Sequence, residues 1–171
     1  MTTIAERIDL DRCTPTQLWL ALEPEVRLAS ARSLYAHDWG DSPTKREADA
    51  TIMSAMRFRE QAVRQLPIER RVQYLAKVRP GDSLASSLLL ALHLQERRPM
   101  LAAFLDALGI PHEDGLISED HETAPPEAAK LEKAAEALRE HFPAEDVAIY
   151  LASLYLLYRE TWKGVRHLFG V

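Results

Sequence analysis

The chain has 171 residues, 47% hydrophobic and 27% charged, with a formal net charge of −5. That length buries a core, and the composition is that of one ordinary globular domain; it excludes a disordered or low-complexity chain. A single cysteine, Cys13, rules out an intrachain disulfide framework. The start MTTIAERIDLDRC has neither the basic opening nor the apolar run of a leader peptide. The apolar runs at 84–94 and 147–158 fall well short of the ~20 residues that span a bilayer. The expectation is a soluble cytoplasmic protein without membrane contact, folded as one domain over residues 1–171.

Helical punctuation recurs along the chain. Pro15 and Pro24 suit the first turn of a helix, where a missing N–H costs nothing. The second opens a segment whose Val26, Leu28, Ala31 and Leu34 share one face. Ser42 is placed to cap a helix through Ala48, Ile52 and Met56. Pro67 restarts a helix through Ile68, Val72, Leu75 and Val78, and RPGD (79–82) is a turn whose Asp82 can cap a helix over 83–97. Pro99 opens a short helix to Leu108, which Gly109 closes in a left-handed conformation.

An irregular segment over 109–124 follows. Pro125 and Pro126 then open an amphipathic helix with the stripe Leu131, Ala135, Leu138 and Phe142. Pro143 starts another, with Glu145 and Asp146 at its positive end. It turns apolar on all sides over 147–158 and should be buried. TWKGVRHLFGV reads as a final short helix. No stretch shows the alternation of a half-buried strand. The predicted fold class is all-α: a compact bundle or short helical-repeat array of about 7–8 helices joined by Pro-marked corners. Residues 83–110 and 145–171 share a layout of apolar helix, polar break, shorter helix and glycine, which suggests a duplicated two-helix unit.

Charge is unevenly spread. Residues 44–79 are basic, with Arg57, Arg64 and Arg71 spaced seven apart, whereas 112–146 are strongly acidic. The arginines would line one helix face, as phosphate contacts require, if Pro67 only kinked the helix. The negative total charge and the lack of any nucleic-acid-binding signature argue against that partner. Pairing of the basic and acidic halves, within the fold or between subunits, is the reading preferred.

The segment PHEDGLISEDHE (111–122) holds two histidines and five carboxylates, residue types that ligate divalent metals. Its spacing fits neither a calcium loop nor a paired-histidine zinc helix. A second candidate pair is His37 and Asp38, but one histidine and one carboxylate leave a metal mostly to water, and no histidine precedes His37. Glycine-rich phosphate loops and nucleophile elbows are absent.

The expected function is therefore protein–protein interaction or scaffolding, with another protein or a second copy as partner. Pro111, His112, Glu113, Asp114, Leu116, Glu119, Asp120 and His121 form the expected contact surface, because long loops in compact domains are uncommon and often functional. Two alternatives stand beside it. One is a divalent-metal-dependent, hydrolase-like enzyme using His112, Glu113, Asp114 and His121, or His37 and Asp38. The other is a small-molecule-binding bundle with its pocket beside Tyr150, Tyr155 and Tyr158. No cofactor is expected outside the metal alternative.

Overall fold

Prolines and small polar residues set most helix boundaries in the computed structural model, which describes residues 3–37 and 42–170. Among these residues the chain is all-α. In order come α1 (Ile4–Arg7), α2 (Pro15–Ala21), α3 (Pro24–Ala36), α4 (Pro43–Met56), α5 (Glu60–Gln65), α6 (Ile68–Leu75) and α7 (Asp82–Ala91). A π-helical turn (Leu92–Glu96) extends α7. Then follow α8 (Arg98–Leu108), α9 (Ala128–His141), α10 (Ala144–Leu157) and a 3-10 helix (Lys163–Phe169). The only pairing of extended backbone among the described residues is an isolated antiparallel bridge, Glu113 with Leu116. No described helix is long and apolar enough to cross a membrane.

The ends that the sequence marks clearly are built as expected. The Ser42 hydroxyl accepts from the Lys45 amide at 3.1 Å, and Gly109 closes α8 at φ +68°. Other boundaries differ. The count exceeds seven or eight because Arg57, at φ +55°, ends α4 before α5 begins, and because a single turn forms at Ile4–Arg7. Asp82 does not cap α7; its carboxylate accepts the Thr16 amide at 3.1 Å, two residues into α2. The amphipathic helix starts at Ala128, two residues beyond Pro126, because Glu127 takes the extended cap conformation. The final helix is 3-10 rather than α.

Contacts gather into two compact units: a terminal unit, Met1–Thr14 with Arg97–Val171, and an inner unit, Pro15–Glu96. The layout read as a duplication divides unequally between them. Residues 83–96 belong to the inner unit and 97–110 to the terminal one, while 145–171 lie wholly in the terminal unit.

In the terminal unit α10 is the buried helix its composition requires, with Val147 through Ser153 all buried. Phe104 of α8 meets the Tyr150 ring edge-on at 5.4 Å and the Trp162 ring at 5.7 Å. Glu145 accepts from the Ile4 amide and from Arg7, both at 2.7 Å, and so fixes α1 at the start of α10. Gly164 permits the approach of the 3-10 helix to α9, since a Cβ there would lie 2.7 Å from Leu131 Cδ1.

In the inner unit Trp19, Ile52, Leu75, Leu84 and Leu88 are fully buried. The Ser30 hydroxyl of α3 donates to the Leu88 carbonyl at 2.6 Å. That carbonyl also keeps its helical bond from the Leu92 amide, where the π-helical turn begins. Nearer the surface of the unit, Tyr35 donates to Asp49 at 2.7 Å. Asp49 also accepts from Arg71 at 3.3 Å.

Burial, helped by the bond to Asp49, pushes the Tyr35 hydroxyl above the usual tyrosine range, and burial alone does so for Tyr150. The folded chain thus holds both protons more tightly than the unfolded chain. Their stabilisation is complete below the unfolded value of about 10 and is lost as pH rises beyond it. In an alkaline titration, tyrosinate absorbance from these two of the five tyrosines should arrive only with the loss of helical circular dichroism. Ionisation of all five before unfolding would contradict this burial.

Candidate functional site

The segment after α8 is built by local rules. The Gly109 amide donates to the Asp106 carbonyl at 3.0 Å and the Ile110 amide to that of Leu105 at 2.9 Å. These paired bonds close a helix through a left-handed glycine. Pro111 then prevents a return to helix. Glu113 and Leu116 exchange backbone hydrogen bonds of 2.8 and 3.0 Å across Asp114 and Gly115. Those two residues have φ of +49° and +82°, the signature of a type I′ turn, for which Asp-Gly is a favoured pair. A second turn joins Ser118 to His121, and the Ser118 hydroxyl accepts the Asp120 amide at 3.4 Å.

This loop is fastened to α8 at three points. Arg98 donates to Asp114 at 3.1 Å. The His112 ring accepts the Gly115 amide on Nδ1 at 3.0 Å and lies 2.9 Å from Asp106 through Nε2. Nδ1 therefore carries no proton, and Nε2–H donates to the carboxylate. Gly115 itself is buried, and a Cβ there would lie 2.9 Å from Leu101 Cβ and 3.1 Å from the Arg98 carbonyl. Leu116 is 39% exposed, while Pro111, Glu113, Glu119, Asp120 and His121 are exposed.

The expected contact residues thus divide into anchors, His112 and Asp114, and an outward set. Arg98 and Asp106 complete the anchoring. They escape sequence reasoning because they belong to the preceding helix, although the Asp-Gly pair was itself a legible turn signal.

Of the two ligand sets of the metal alternative, His112, Glu113, Asp114 and His121 form no metal-holding group. Among the described residues no three histidine, cysteine, aspartate or glutamate side chains are grouped to hold a metal ion. His112 has both ring nitrogens engaged, and Asp114 is paired with Arg98. Glu113 and His121 join no such group. His37 belongs to the inner unit, ends α3, and has Nδ1 3.0 Å from the Gln95 amide nitrogen. Asp38 lies outside the described residues.

The arginine row also breaks. Pro67 separates α5 from α6 instead of kinking one helix. Arg57 sits at the left-handed end of α4. Arg71 turns to Asp49 and to the carbonyls of Leu66 and Arg64, satisfying the end of α5. Arg64 pairs with Glu60 on its own helix. Among the tyrosines of 147–158, Tyr150 packs on Phe104 and Tyr155 donates to Asp11 at 3.1 Å, while Tyr158 is exposed. A groove of about 140 Å³ lies between α4 and α5, beside Asp49, Met53, Glu60 and Val63.

No family model, no curated protein and no solved structure matches this chain.

Proposed function

We propose that this chain is a soluble cytoplasmic helical protein that works by protein–protein interaction, with residues 109–124 as its contact surface. One observation carries the reading: the turn at 112–116 is fastened to α8 at three points, while the outer residues of the loop face solvent. Arg98–Asp114, His112–Asp106 and the close seat of Gly115 on α8 fix the backbone. Leu116 stays 39% exposed, beside exposed Glu113, Glu119 and Asp120. A loop ordered before binding loses little conformational entropy on docking. An exposed apolar residue in an otherwise charged segment is the composition of a contact surface with an apolar centre and a polar rim.

A photo-crosslinking side chain at position 116, introduced into the full chain in its native cell extract, should yield one or a few discrete crosslinked protein species. The same group at Ala137, on the exposed face of α9, should yield none of them. Silence at 116, or an identical pattern from both positions, would overturn the proposal.

A further inference from the structure

Resting on the reading of 109–124 as a contact surface, we propose that its partner is a second copy of this chain, which docks through the basic corner of the inner unit. Arg57 and Arg59 bracket Phe58, whose ring meets the Tyr74 ring edge-on at 5.4 Å. The Arg70 guanidinium lies 5.8 Å from the centre of the Tyr74 ring. Lys77 follows one turn later, its amide bonded to the Tyr74 carbonyl. All four cations are exposed, and among the described residues none has a carboxylate partner. The nearby acids are already engaged, Glu60 with Arg64 and Glu69 with Arg32. The corner therefore presents positive charge that its own surroundings leave uncompensated.

Two kinds of anion could meet it. A single-stranded nucleic acid needs open aromatic faces for its bases, and the Arg70 guanidinium takes one face of the Tyr74 ring. The complementary surface is on the chain itself. Glu113, Glu119, Asp120 and Glu122 are exposed and make no ion pair among the described residues. They stand on a backbone held by two consecutive turns. Each copy thus carries both halves of the contact, and reciprocal exchange closes a dimer while one-way exchange extends an oligomer.

The test is sedimentation velocity on the full chain over a concentration series. Association should appear at about 0.03 M salt and weaken at about 0.5 M, where screening is short-ranged. Arg57→Glu/Arg59→Glu, and separately Glu119→Lys/Asp120→Lys, should each weaken self-association about tenfold or more. Mixing the two variants pairs an intact basic corner with an intact acidic loop and should restore a mixed complex. Unchanged circular dichroism and thermal midpoint establish that both variants fold.

A wild-type chain that stays monomeric at roughly 100 μM, well above the micromolar range of ordinary complexes, would overturn the inference. So would variants that associate as tightly as wild type, or a mixture that fails to form. A monomeric chain whose basic corner instead retains a labelled oligothymidylate would assign that corner to nucleic acid. Crosslinking from position 116 to a different protein would leave the contact-surface reading standing while this inference fails.

Discussion

Gly115→Ala is expected to destabilise the protein by about 2–4 kcal/mol. About 1–2 of this comes from holding an L-residue at positive φ, and the rest from overpacking. The native φ is +82°, and the new methyl would lie 2.9 Å from Leu101 Cβ, 3.1 Å from the Arg98 carbonyl and 3.2 Å from the Ala102 amide nitrogen. Two of those three neighbours are backbone of α8 and cannot swing away. For a chain of this size the loss corresponds to a fall in thermal midpoint of about 5–15 °C. Gly109→Ala is the matched control, because Gly109 has φ +68° but nothing within 4 Å of its Cβ position. It should cost roughly 1–2 kcal/mol, the conformational part alone. Equal losses from the two substitutions would show that the turn does not press on α8 and would remove one of the three fastenings of the candidate surface.

Asp49→Ala should cost about 2–3 kcal/mol, because it strips the acceptor from two mostly buried donors at once. Tyr35 loses a 2.7 Å bond and Arg71 a 3.3 Å ion pair. The Arg71 side chain is 16% exposed, so its charge cannot recover full hydration. Arg71 also holds the carbonyls at the end of α5, so its loss should loosen the short helix as well. Asp49→Asn keeps an acceptor for Tyr35 and should cost less. A double-mutant cycle with Arg71→Met, read by chemical denaturation, should give a coupling of about 1–2 kcal/mol. A coupling below about 0.5 kcal/mol would place the pair among ordinary surface ion pairs.

Much of the local architecture was legible because it is decided locally. Pro15, Pro24 and Pro43 sit in the first turns of α2, α3 and α4. Gly109 takes the left-handed end of α8, and of the 147–158 stretch expected to be buried, Val147 through Ser153 and Tyr155 are buried while Tyr158 at its end is exposed. Each depends on the conformational range of one residue or on a period within one helix. The same local rule accounts for the tight turn at Asp114–Gly115, whose φ values are both positive.

The errors share a different cause. Asp82 looked like the cap of its own helix, but its carboxylate serves Thr16, sixty-six residues away in sequence. Arg71 looked like one of a row of surface cations, yet it turns inward to Asp49. His112 looked like a free ligand, yet both its nitrogens are occupied. A polar side chain's partner is chosen by which elements pack together, and that choice leaves no trace in nearby spacing.

The sequence by itself therefore determined that the described chain is helical, where most helices begin and end, and which segment between them is irregular and acidic. Backbone sterics and hydrophobic periodicity act over a few residues and suffice for that. Only the tertiary structure decided that His112 and Asp114 fasten this segment to α8 while Leu116, Glu119 and Asp120 face outward. It alone set the positive corner of Arg57, Arg59, Arg70 and Lys77 around the Phe58–Tyr74 pair. Whether a charge is spent on a neighbour or left for a partner depends on three-dimensional proximity, which no local pattern encodes.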